Sequence, residues 1–212
     1  MASRPFSARP LPHADATVAA AVVNEQRFSL AGDLCAGDVI ALPSALPATV
    51  KKEAANHGFA ASRPMRVLLV ASAGGHWIEL CRLSAAFAAC DCQYVSTAPG
   101  LTAPLGFRDV LQIPDSSRDT VRTMARTFTR LVPIIRDFDP EMVVSTGAAP
   151  GALGLFIGKY YGARTIWVDS IANSEVLSLS GRLVRLFADL RLTQWPELEE
   201  KSGKLRCFGK VL

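Results

Sequence analysis

The sequence predicts an α/β domain in which a parallel sheet carries helices on both faces. Two observations lead there. From Met65 onward, short apolar runs alternate with stretches of helical periodicity, the pattern of parallel strands joined by crossover helices. The runs are also continuous rather than alternating, as in "RVLLVAS" and "EMVVST", and unbroken apolarity is expected where a strand is covered on both sides.

In chain order, "RVLLVAS" is the first strand. Trp77, Leu80, Cys81, Ser84, Phe87 and Ala88 follow at helical spacing and define the first crossover helix. "CQYVST" and "DVLQI" read as short strands. A long helix from about Ser117 to Asp137 places Val121, Met124, Phe128, Leu131, Val132 and Ile135 on one side. "EMVVST" is a strand, "GALGLFIGKYYG" a helix, "RTIWVD" a strand and "GRLVRLFA" a helix; "DLRLTQW" and "RCFGKVL" close the chain. The layout is Rossmann-like, with about five to seven strands.

Residues 1–64 read differently, as an N-terminal extension of unassigned function ahead of a domain at 65–212. "SRPFSARPLPHADA" is proline-rich and aperiodic, so it is expected to be flexible. A strand pair is expected in "RFSLAGDLCAGDVIAL", a short helix in "ATVKKEAANHG", and a linker in "AASRP".

Composition narrows the classes. With 212 residues, 50% of them apolar and 20% charged, the chain suits one sizeable soluble domain. Its net charge of +4 permits an anionic ligand or membrane surface, and nothing indicates nucleic acid. Five cysteines without a CxxC pair, and only three histidines, assemble no metal site and fit a reducing compartment. No cofactor is implied. No run reaches the roughly 18–20 apolar residues of a spanning helix, so membrane attachment is expected to be peripheral.

Three strand-to-helix loops carry the candidate chemistry, because ligands of such sheets bind at the carboxyl ends of the strands. In the first, "SAGGH", Gly74 and Gly75 allow a sharp turn and close backbone approach, while the helix amides beyond favour an anion such as a diphosphate. Ser72 sits on the same loop, and His76 can accept a proton or pair with phosphate. A plain tight turn with His76 capping the helix fits the same residues. The dinucleotide pattern GxGxxG is not met, which disfavours nicotinamide binding.

In the second loop, "STGAAPG", Thr146 and Gly147 precede a helix that Pro150 suits in its first turn. The third, "WVDSIANSEVLSLSG", brings Asp169 and Glu175, either as acceptors for sugar hydroxyls and a general base or as a cap and a solvated surface group. Arg118, Arg122, Arg126 and Arg130 recur every fourth residue as a cationic stripe, suited to anionic headgroups or simply to solvent.

Together, "ASAGGH", "STGAAPG", "DSIANSEVLSLSGRL" and "TQWPELEE...FGKVL" resemble the family of asparagine-linked glycosylation protein fourteen and its bacterial exopolysaccharide relatives, over Met65 to Leu212. "SLSGRL...ADLRLTQWPEL" is the most specific part. The glycine-histidine loop is also similar to that of the peptidoglycan lipid-linked N-acetylglucosamine transferase. The resemblance implies the acceptor-side half of a GT-B glycosyltransferase, one that binds a polyprenyl-diphosphate-linked saccharide at the cytoplasmic face of the plasma (inner) membrane. A separate nucleotide-sugar-binding subunit supplies the donor. Length agrees, since about 150 residues from Met65 are too few for two facing domains.

On this reading, His76 or, as the lesser alternative, Asp169 is the catalytic base of an inverting transfer, with Ser72, Gly74, Gly75, Thr146, Gly147 and Glu175 shaping the acceptor site and the arginine stripe facing the membrane. Relatives with glutamate before the "SI" pair contrast with Asp169 here. Two other functions fit the same residues: a non-catalytic docking subunit that recruits the catalytic partner, and a free-standing nucleotide-binding enzyme.

Overall fold

The computed structural model describes residues 63–105, 108–115 and 121–211. The flexible lead, strand pair and short helix expected in the N-terminal extension lie outside these residues, as do Arg118 and all of the expected linker but Arg63 and Pro64. Seven strands form one sheet: β1 (Arg66–Ala71), β2 (Asp91–Ser96), β3 (Leu111–Gln112), β4 (Met142–Ser145), β5 (Arg164–Val168), β6 (Leu190–Thr193) and β7 (Arg206–Cys207). Their order is β3-β2-β1-β4-β5-β6-β7, and every neighbouring pair is parallel. The order reverses between β1 and β4, which is the switch point where a cleft opens in sheets of this kind.

The continuous apolar run of β1 divides as a doubly covered strand must. Val67, Leu69 and Ala71 join one core with Trp77, Leu80, Leu83 and Phe87. Leu68 and Val70 join the other with Leu131, Ile135, Leu155 and Trp167. Helix α1 (Gly75–Leu83) covers the first face; α2 (Val121–Phe138), α3 (Ala148–Tyr160) and α4 (Leu179–Leu183) cover the second.

Helix α3 lies close on the sheet because its inner side is glycine. A Cβ on Gly154 would meet Val70 at 3.1 Å, and one on Gly158 would meet Val143 at 2.4 Å. Its partner α2 is 18 residues long, about 27 Å, against six residues and about 20 Å for β1. The helix therefore outruns the sheet. Leu131 and Ile135 are buried as expected, with Thr127 completing their face; Val121 and Met124, beyond Thr127, and Phe128, off that face, are exposed although expected on the same side. Helix α1 is also shorter than its pattern suggests. The chain tightens into a 3₁₀ turn over Ser84–Phe87, the period changes, and Ala88 faces solvent.

Candidate functional site at the carboxyl edge of the sheet

Parallel register brings the loops after β1, β4 and β5 to one edge: Val70 pairs with Ser145, and Ser145 with Trp167. The first turn is made by Gly74, whose φ of +77° suits glycine, and α1 begins at Gly75 with no side-chain cap on its amides. A Cβ on Gly74 or Gly75 would meet nothing within 4 Å, so both glycines border open space. Ser72 is buried at the strand end, and the Ala73 amide next to it donates to Thr97 Oγ1 at 2.9 Å.

The second loop closes on His76. A Cβ on Gly147, whose φ is +151°, would fall 2.3 Å from Nδ1 and Cε1 of the imidazole. Only a residue without a side chain lets the ring rest there. His76 Nδ1 lies 3.1 Å from the Thr146 carbonyl oxygen, and the Thr146 hydroxyl donates back to the His76 carbonyl at 2.7 Å. A carbonyl oxygen can only accept, so the hydrogen bond assigns the proton to Nδ1 and leaves the Nε2 lone pair available. Ala148, next to Gly147, sits at φ +63°, a backbone conformation that a non-glycine residue holds only where its surroundings enforce it.

Beneath the histidine lies a carboxylate that motif reading passed over. Glu79 is 1% exposed; its Oε1 accepts from Ser170 Oγ and the Ile171 amide, both at 2.9 Å, and from Gln194 Nε2 at 3.4 Å. Among the described residues its Oε2 has no hydrogen-bond partner, and it stands 3.8 Å from His76 Nδ1. Burial pushes the carboxyl pKa up, but His76 together with the Ile171 and Ser170 hydrogen bonds outweighs burial and leaves it below the ordinary value. The signal was the spacing of three in "HWIE", which puts histidine and glutamate on neighbouring positions of one helix face.

Gln194 joins the pieces further. Its Nε2 also donates to the Asp169 carbonyl at 3.1 Å, and its Oε1 accepts from the Val211 amide at 2.8 Å. Trp195 Nε1 donates to the Ile171 carbonyl at 2.8 Å, so "TQW" latches the third loop and the chain's last described residues.

Asp169, the alternative to His76 as the expected base, is engaged as a hydrogen-bond acceptor. It is 1% exposed, with Oδ1 accepting from Trp167 Nε1 at 3.1 Å and Ser178 Oγ at 2.6 Å, and Oδ2 from the Ser178 amide at 3.0 Å. Ser178 in turn caps α4 through the Gly181 amide at 2.8 Å. Asp169 thus anchors the third loop, and the carboxylate beside the histidine is Glu79. Thr146 is fully buried and holds His76, which differs from direct acceptor contact. Glu175 is exposed on the outer turn of the third loop, and Arg122, Arg126 and Arg130 are exposed on α2. The groove lined by Arg66, Arg108, Asp137 and Asp139 lies at the opposite, amino end of the sheet; Arg66 is paired there with Asp139, and Arg108 with Asp91.

A seven-stranded parallel sheet whose glycine-hinged loops converge on one histidine is a Rossmann-like lobe of the GT-B glycosyltransferase architecture. MurG of Acinetobacter baumannii shares the fold at a TM-score of 0.55 and 12% identity, over 68% of this chain and 45% of that one. A UDP-N-acetylglucosamine 2-epimerase of Rickettsia bellii does so at 0.52 and 12%, over 70% and 46%. Residues 108–211 match the family model "Oligosaccharide biosynthesis protein Alg14 like", and over them the chain is similar to that family. The UDP-N-acetylglucosamine transferase subunit ALG14 of Eremothecium gossypii is 34% identical over 103 residues, 45% of this chain and 46% of the relative. The human subunit of the same name is 26% identical over 107 residues, 48% and 50%. The chain spans about half the length of these relatives.

Proposed function

We propose that this chain is the acceptor-side subunit of a two-component, membrane-associated glycosyltransferase. A separate subunit presents a nucleotide-sugar, and the sugar passes to a polyprenyl-diphosphate-linked saccharide. The names of the relatives make UDP-N-acetylglucosamine the first donor to test. The acceptor diphosphate rests on the amides of Gly74, Gly75 and His76, where helix α1 begins and where the glycines border open space. His76 Nε2 takes the proton of the attacking hydroxyl, the new glycosidic bond forms, and the nucleoside diphosphate leaves with the electrons of the broken bond. Glu79 faces the imidazolium that results.

The observation that carries this reading is the orientation of His76. Its Nδ1 is held on the Thr146 carbonyl, so Nε2 is the basic nitrogen. General-base assistance of this kind is worth about 10²–10⁴-fold. Ser72, Gly147 and Glu175 would shape the acceptor site around it. Attachment is peripheral, at the cytoplasmic face of the plasma (inner) membrane, with Arg122, Arg126 and Arg130 toward anionic headgroups; among the described residues no helix is long and apolar enough to cross a membrane.

The test is transfer by the chain reconstituted with its donor-binding partner. His76→Ala should lower turnover by about 100-fold or more while leaving the complex assembled. Near-normal turnover by that variant would instead identify a docking subunit that contributes no reacting group.

A further inference from the structure

Helix α4 and the 3₁₀ turn that extends it, Val184–Leu186, turn leucines outward. Leu179, Leu183 and Leu186 are 67%, 55% and 77% exposed, at spacings of four and three, while Gly181 and Val184 between them are buried against the body. Arg182 and Arg185 are exposed beside them. The apolar surface continues through Phe187, whose ring meets Phe156 of α3 edge-on at 5.6 Å, and Phe156 is itself exposed. Contiguous apolar surface of this kind on a folded domain marks a contact site.

Charge identifies the occupant. Residues 176–188 contain no aspartate or glutamate, and neither do residues 121–136 of α2 or 148–160 of α3; the exposed Asp137, Glu175 and Asp189 stand at their ends. Along those stretches the helical layer on this side of the sheet therefore offers arginines, Lys159 and apolar side chains, and the Asp189 carboxylate at the margin is paired with Lys159. Leucine is under-represented among the anchor residues of protein interfaces, whereas leucines flanked by arginine suit the boundary between acyl chains and anionic headgroups.

We propose that the α4 surface is a membrane-insertion edge: Leu179, Leu183 and Leu186 enter the acyl boundary of an anionic bilayer while Arg182 and Arg185 hold its headgroups. The inference deepens the peripheral-membrane reading above and adds a contact distinct from the arginine stripe of α2. It also ties the bilayer to the candidate cleft, because Ser178, which caps α4, is bonded to Asp169 beneath the third loop. A headgroup-bearing acceptor would then be presented beside the cleft.

The full chain is floated with phosphatidylcholine vesicles, alone or with about 30% phosphatidylglycerol. Wild type should bind the anionic vesicles. Leu183→Glu with Leu186→Glu should lower that binding by at least about tenfold, and Arg182→Glu with Arg185→Glu should do so most strongly at low salt. Circular-dichroism melts check that the variants fold, and Leu183→Ala with Leu186→Ala, which brings no new charge, should show a smaller loss in the same direction. Binding by wild type that survives all these substitutions would overturn this edge and leave the membrane reading standing, with Arg122→Glu and Arg126→Glu then locating the contact on α2. No binding by wild type would overturn both. A leucine-dependent dimer in light scattering without vesicle binding would assign the surface to a second copy and overturn the proposal.

Discussion

Thr146 and His76 bind each other reciprocally across the cleft: the hydroxyl of one donates to the carbonyl of the other at 2.7 Å, and the imidazole Nδ1 lies 3.1 Å from the threonine carbonyl. The two loops at the switch point are therefore fastened at their tips, and the ring is fixed by the same contact that joins them. Thr146→Val keeps the shape and removes the hydroxyl, leaving the His76 carbonyl with its helical donor alone. The expected cost is about 0.5–1.5 kcal/mol, read from denaturant unfolding. The ring keeps its contact with the Thr146 backbone carbonyl, so transfer should fall far less than in His76→Ala. Unchanged stability would mean that the hydroxyl bond is exchanged for water at no cost.

Glu79 gives the protein an acid-sensitive joint. Its carboxyl titrates below the ordinary 4.5, so the folded state favours the ionised form. A depressed carboxyl contributes stability that is fully present above its unfolded pKa and is lost as pH falls through the folded one. Wild-type melting temperature should therefore decline as pH drops below about 4.5. Glu79→Gln cannot ionise, so its profile should be flatter through that window and lower above it. Parallel profiles would show that Glu79 does not set the acid limb.

Asp169 and His76 should separate cleanly when stability and turnover are measured together. Asp169→Ala strips acceptors from Trp167 Nε1 and from the amide and hydroxyl of Ser178. Buried donors left without partners cost about 1–3 kcal/mol each, so this variant should melt early and lose turnover as a consequence. His76→Ala removes a partly exposed ring and should retain most of its stability while losing turnover. If Asp169→Ala keeps wild-type stability and loses only turnover, Asp169 is a reacting group after all.

Much of this was legible in the residues. The strand runs, the order of elements and the glycine loops all follow from periodicity, which reports burial on each face. What periodicity cannot report is where a helix outruns its sheet, as at Val121 and Met124, or that Thr127 rather than Phe128 shares the buried face with Leu131 and Ile135. Nor can it rank carboxylates. Asp169 stood at a strand end in a loop and drew attention, whereas Glu79 lay inside a helix that otherwise looked structural; its meaning depends on Ser170, Ile171 and Gln194, which are 91 residues or more away in sequence. Gln194 itself lay in the most specific block of the resemblance, yet only the fold shows that it joins Glu79, Asp169 and Val211.

Gly147 allows strain and crowding to be told apart. Its φ of +151° disfavours any side chain, and a Cβ there would overlap the His76 ring at 2.3 Å. Gly162 supplies the comparison: its φ is +87°, but a Cβ would meet nothing within 4 Å. Gly162→Ala should therefore cost only the backbone term, about 1–2 kcal/mol. Gly147→Ala should cost that and a further 1–3 kcal/mol or so of overpacking, and must also push the imidazole off the Thr146 carbonyl. The displacement would appear as a shifted His76 Cε1–H resonance in the Gly147 variant and an unshifted one in the Gly162 variant. Equal destabilisation by the two substitutions, with the resonance unmoved, would mean that the ring does not rest against Gly147 in solution, and the fixed orientation of Nε2 would lose its support.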